Sequence, residues 1–118
     1  MKTPNDPRHI RRRQVVKKLY SQSFIALDST DPVEKGVLSN LKKIDQLVQK
    51  AAPEWPVEKI NRVDLAILRL AVYELKIQPK EPPKVVIDEA IELAKEFGSQ
   101  ASPGFINGTL GTLIKNEN

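Results

Sequence analysis

Four arginines and a histidine crowd into six positions: Arg8, His9, Arg11, Arg12 and Arg13. Arg8, Arg11 and Arg12 are spaced i, i+3, i+4, so on a helix they share one face. Guanidinium forks match phosphate oxygens two at a time and stack on bases. The first turn of a helix is otherwise a poor place for cations, at about 0.3–1 kcal/mol per exposed charge. A docked phosphate reverses that sign, because helix N-termini accept anions. The chemistry expected is therefore capture of a polyanionic strand by guanidinium groups open to solvent. The plain alternative is a solvated basic segment that aids solubility.

Aromatic residues distinguish a single strand from a duplex, because unstacked bases are gripped between ring planes. Tyr20 lies two to three turns beyond the arginines. Phe105 opens the last helical stretch and is a candidate neighbour of Tyr20 in space. For both, the alternative is ordinary core packing, and His9 reads as a plain surface residue. In "GFINGTLG", Gly104, Gly108 and Gly111 fall at i, i+4, i+7 and suggest that another backbone comes close. A neighbouring helix is the simplest candidate, with a partner protein or RNA as the others.

The acids Asp88, Glu89, Glu92 and Glu96 alternate with apolar residues and are expected on a solvated face. Arg69 and Glu74 read as structural ions, with Asp64 a candidate partner. No nucleophile–base pair, phosphate-cradling glycine loop or zinc spacing is present. There is no cysteine, and the single histidine excludes a multi-histidine metal site.

The elements that must hold these residues are helical. "DP" at 6–7, "DP" at 31–32 and "SP" at 102–103 each put a capping side chain before a proline at the first helical position. The first helix is expected from Pro7 to Leu27, with Val16, Leu19, Tyr20, Ser23 and Leu27 inward. A second runs from Pro32 to Ala52, weakened by Gly36, with a short turn at "VEKIN". Residues 63–77 are apolar around nearly the whole circumference, which marks a central helix wrapped by others. A helix over "KVVIDEAIELAKEFG" buries Val86, Ile87, Ala90, Ile91, Ala94 and Phe97, and Gly98 is expected to end it in the left-handed conformation. The last helix spans Pro103 to Ile114. The fold class is all-α, a compact bundle of five main helices and a short turn.

Charge is uneven. Residues 1–18 hold seven Lys or Arg against one acid, a local charge of +6, while the rest of the chain carries −2. That asymmetry suggests nucleic acid or an anionic membrane as partner. No apolar run reaches the ~18 residues of a membrane span and the start has no secretory pattern, so the expected setting is the cytoplasm.

Residues 63–111, "VDLAILRLAVYELKIQPKEPPKVVIDEAIELAKEFGSQASPGFINGTLG", resemble the NusB family of bacterial transcription antitermination factors. "PPKVVIDEAIELAKEFG" followed by "FINGTL" is the specific part, and "RRRQVVKKLY" resembles the arginine-rich start of the family's first helix. The resemblance implies a NusB-type fold of two small helical subdomains. It would form one RNA-binding domain over 1–118, with an arginine-bearing helical part at 1–52 and a second helical part at 53–118. It implies binding, without catalysis, cofactor or small-molecule substrate, to the single-stranded boxA element of ribosomal RNA transcripts. The implied protein partner is the ribosomal protein NusE, within an RNA polymerase complex that resists termination. By position, Arg8 and Arg12 match family arginines that contact RNA, and His9, Arg11 and Arg13 fall in the same motif. Tyr20 matches its closing tyrosine, Phe105 the aromatic before "NG", and Asn107 the asparagine of that pair.

Two departures stand out. Ala101 replaces an acid in the family's "EDSP"-like pattern, a site tied to RNA and partner affinity. The segment between Tyr20 and Ile44 is shorter than usual, so one helix there is expected to be missing or reduced. The same fold serves as an RNA-binding domain in some ribosomal RNA methyltransferases, but no catalytic half is seen here. Alternatives are a scaffold whose basic helix meets an acidic protein and, less well, a membrane-surface helix, whose apolar stripe the core requires.

Overall fold

The computed structural model describes residues 6–23, 29 and 31–115. Among these residues the chain forms six α-helices and no strand. They are α1 (Pro7–Gln22), α2 (Pro32–Ser39), α3 (Leu41–Ala51), α4 (Arg62–Val72), α5 (Pro83–Phe97) and α6 (Ser102–Lys115). A single 3₁₀ turn, Val57–Lys59, precedes α4 at the expected "VEKIN", and a π turn, Tyr73–Ile77, extends α4. The expected stretch of α1 as far as Leu27 lies outside the described residues.

Both "DP" starts cap as the side chains dictate. Asp6 accepts from the Arg8 N–H at 2.8 Å. Asp31 accepts from the N–H groups of Val33 and Glu34 at 2.8 and 3.2 Å. Each cap is worth about 1 kcal/mol. "SP" behaves differently: Ser102 is the first residue of α6, and its hydroxyl accepts from the Ser99 N–H at 2.9 Å, back in the turn. That hydroxyl explains Gly98, which is not left-handed but has φ −92° and ψ −171°. A Cβ there would lie 2.4 Å from Ser102 Oγ, so lack of space, not φ, selects glycine.

The expected helix over 32–52 is two helices. Asn40, at φ −112° and ψ 17°, separates α2 from α3. Its side-chain amide donates to the Gly36 carbonyl at 2.8 Å, competing with the helical ladder. Among the described residues, the stretch between Tyr20 and Ile44 holds the eight-residue α2, between the end of α1 and the start of α3. Gly36 has its own cause: a Cβ there would meet the Tyr73 hydroxyl at 2.3 Å and its ring at 2.6–2.7 Å.

Asn61 caps α4 by accepting from the Val63 and Asp64 N–H groups. Leu65 to Leu68 and Leu70 to Val72 are all buried, and α4 packs against α1, α3, α5 and α6. Burial of each large apolar side chain stabilises by about 1.5–3 kcal/mol, so this one helix holds the bundle together. After Val72 the Gln78 N–H donates to the Tyr73 carbonyl at 2.9 Å, five residues back. Pro79 then prevents continuation.

Candidate nucleic-acid interface

The buried stripe of α1 begins with polar residues, not apolar ones. His9 and Arg12 are 7% and 8% exposed, ahead of Val15, Val16 and Leu19. Arg12 donates from Nε to Glu74 Oε2 at 2.9 Å and from Nη2 to Glu74 Oε1 at 2.7 Å. Nη2 also donates to Glu81, and Nη1 reaches Glu89 Oε1 at 3.5 Å. Those acids come from the π turn, the loop before α5, and α5 itself. Burial opposes the charge on Arg12, but hydrogen bonds and attraction from Glu74 and Glu81 outweigh it and raise its pKa further.

His9 Nδ1 lies 2.9 Å from Glu89 Oε1, and Nε2 lies 2.6 Å from Glu96 Oε1. A neutral imidazole donates from one nitrogen only; the imidazolium donates from both. Burial lowers the His9 pKa, yet Glu89 and Glu96 together raise it above the ordinary value.

These contacts correct several expectations. His9 is not a surface residue, and Arg12 is not open to solvent. Glu89 is buried, not solvated, and α5 is rolled so that Glu89 and Leu93 face inward in place of Ile91. Glu74 takes Arg12, while Arg69 forks onto Asp45 at 2.9 and 2.8 Å. Asp64 is buried, with Oδ1 lacking a hydrogen-bond partner.

The other arginines keep solvent access: the side chains of Arg8, Arg11 and Arg13 are 69%, 52% and 38% exposed. Each still faces an acid. Arg8 donates to Glu81 at 2.7 Å, Arg11 lies 3.6 Å from Asp31, and Arg13 Nε lies 2.8 Å from Glu96. Arg8 also approaches Asp6, so the cations of the motif meet six carboxylates in all: Asp6, Asp31, Glu74, Glu81, Glu89 and Glu96. The surplus of positive charge seen in the first eighteen residues is therefore largely neutralised in space.

Helix α1 presents two flanks. Arg8, Arg11 and Arg12 line a cavity on one side, as their spacing implies. On the other, Val16, Lys17, Tyr20, Ser21, Val63 and Phe97 line a groove. Tyr20, expected inside, is 38% exposed. Arg13 and Lys17 sit over the Phe97 ring at 5.9 and 5.7 Å from its centroid. Phe97 thus takes the place beside Tyr20 that Phe105 was expected to fill. Its sequence signal, an aromatic at the end of an amphipathic helix, reads equally as core.

Phe105 is half-buried instead against Trp55, edge to face at 6.3 Å. Asn107 is exposed on α6. The glycine face expected to meet a helix is open: a Cβ at Gly104, Gly108 or Gly111 would find no atom within 4 Å. Among the described residues no group of His, Asp and Glu has the arrangement to hold a metal ion. None of the helices is long and apolar enough to cross a membrane.

Residues 10–115 match the model of the NusB family. The chain belongs to the NusB family. The transcription antitermination protein NusB of Chloroflexus aggregans is 40% identical over 106 residues, 86% of this chain and 71% of that protein. The NusB of Caldicellulosiruptor saccharolyticus is 42% identical over 70% of this chain, an alignment that spans only 63% of that relative's length. Among solved structures, T. maritima NusB superposes with a TM-score of 0.78 at 34% identity, covering 99% of this chain and 94% of that one. A structure of the antitermination factors NusB and NusE in complex with dsRNA gives a TM-score of 0.80 at 17% identity, covering 95% and 100%, a likeness of fold. The all-α NusB-type bundle read from the sequence is thus the fold observed.

Proposed function

We propose that this protein is a non-catalytic transcription antitermination factor that binds single-stranded boxA-type RNA of ribosomal RNA transcripts together with NusE. The observation that carries the reading is the Tyr20–Phe97 groove, an open aromatic floor with Arg13 and Lys17 at its edge. Bases stack on such rings while cations track the backbone. Arg8 and Arg11 supply further phosphate contacts. Arg12 and His9 act through their neighbours: they fix α1 against α5 and the π turn, which sets where the exposed arginines stand. Phe105, braced by Trp55, and Asn107 extend the strand's path onto α6. A complex containing NusB, NusE and RNA is known for a protein of this fold, and membership in an RNA polymerase assembly in the bacterial cytoplasm follows from the same reading.

A mobility-shift titration with a boxA-type single strand, with and without the ribosomal protein, tests it. The expected result is binding of the single strand, tightened by the ribosomal protein and weaker for a scrambled strand. Equal affinity for boxA, scrambled strand and duplex overturns the reading. Capture of the ribosomal protein without any RNA affinity favours the scaffold alternative.

A further inference from the structure

The cavity on the other flank of α1 is not accounted for by that groove. It measures about 530 Å³, within the ~300–1,000 Å³ of small-molecule sites. Val33, Leu70 and Tyr73 give it an apolar and aromatic wall; Arg8, Arg11 and Lys80 stand around it. Arg12, Glu74 and Glu81 line it too, so its charged residues sum to +2. Several donors there are uncommitted. Among the described residues the Lys80 ammonium and the Tyr73 hydroxyl have no partner, and Arg11 only approaches Asp31 at 3.6 Å. The position of that wall depends on Gly36: the Tyr73 side chain lies on it so closely that a single methyl would displace it.

An anion alone needs no apolar wall, and an apolar ligand needs no surplus of cations. We propose that this cavity binds a nucleoside monophosphate group, its phosphate on Arg11, Arg8 and Lys80 and its base against Tyr73, Val33 and Leu70. The group is either a free nucleotide or one unstacked nucleotide of a bound strand, and in the second case the inference rests on the RNA reading.

The test is an amide NMR titration of the full chain with UMP, AMP, ribose 5-phosphate, inorganic phosphate and a single-stranded hexaribonucleotide. Either nucleotide should shift the amides of Val33, Leu70, Tyr73 and Lys80 and bind at least about tenfold tighter than ribose 5-phosphate. Arg11→Gln, at an exposed position, should weaken it by about tenfold, the worth of one charge-assisted contact. Gly36→Ala, which leaves every charge in place, should abolish it by pushing Tyr73 aside. Shifts at these amides from the hexamer alone identify the strand as the source. Inorganic phosphate binding as tightly as UMP overturns the proposal, as does silence of these amides toward every probe. A hexamer that shifts only Lys17, Tyr20 and Phe97 overturns it while the RNA reading stands. UMP binding with no response to the hexamer identifies a free nucleotide as the ligand of the cavity.

Discussion

Replacing Arg12 with alanine is expected to cost the fold about 3 kcal/mol. Five hydrogen bonds go with the guanidinium. Charged hydrogen bonds are worth about 1.5–3 kcal/mol each, but desolvation of the buried cation offsets most of that sum. What the truncation leaves behind decides the cost. The Glu89 side chain is 5% exposed and cannot rehydrate, though it keeps His9. Glu74 and Glu81 are 20% and 18% exposed and can turn partly to water. Breaking a buried pair costs about 3–5 kcal/mol, and partial rehydration puts this case at the low end. For a chain of this length Tm should fall by about 10–15 °C. Arg12→Lys keeps the charge without the planar fork and should recover less than half of the loss. Urea unfolding followed by circular dichroism gives the number. A loss under about 1 kcal/mol, with RNA affinity reduced a hundredfold, would show that Arg12 is a ligand-gripping residue and refute the reasoning.

Three further outcomes follow from the same contacts. His9 faces Glu89 and Glu96 from α5 and neighbours Arg12 and Arg13 on α1, and its pKa is raised. Its stabilisation is therefore complete below the ordinary value of 6.5 and lost as pH rises through the folded value. Urea midpoints should fall across that rise, His9→Gln should flatten the fall, and NMR titration of the sole histidine should show the raised value directly. Gly98→Ala should destabilise by about 1–3 kcal/mol, because its Cβ would lie 2.4 Å from Ser102 Oγ and 2.8 Å from the Ala94 carbonyl; Ser102→Gly in the same chain should restore part of this, measured by thermal melts. Tyr20→Ala should leave the helical circular dichroism spectrum unchanged yet weaken single-strand RNA binding by about 1–3 kcal/mol in a filter assay.

Helix positions were legible because their signals are local. Asp6–Pro7 and Asp31–Pro32 cap and start helices within four residues, and the all-round apolar run at 65–72 can only be central. The break at Asn40 was not legible, since it depends on one side-chain amide reaching Gly36. Gly36 reads as a weak point in a helix and Gly98 as a left-handed helix end, but each is small because a distant or neighbouring side chain, Tyr73 or Ser102, occupies the space. The arginine motif misled for a related reason. Four of its neutralising acids, Glu74, Glu81, Glu89 and Glu96, lie 62 to 87 residues away in sequence, so a local charge count cannot see them. Which motif residues turn inward was set by how α1 lies on α4 with the acids of α5 beside it, and that also decided that Phe97, not Phe105, would stand beside Tyr20.

The salt dependence of single-strand RNA affinity tests the central claim most directly. Of the five cations on the surface of α1, four, Arg8, Arg11, Arg13 and Lys17, are assigned to the strand, and the fifth, Lys18, stands near Asp31. At ~0.7 per phosphate neutralised, log K should fall against log salt with a slope of about −3. Lys17→Gln should make that slope shallower by about 0.7, while Arg12→Lys, refolded and stable at the assay temperature, should leave it unchanged. A flat salt response, or a slope that moves with Arg12 and not with Lys17, would contradict the account.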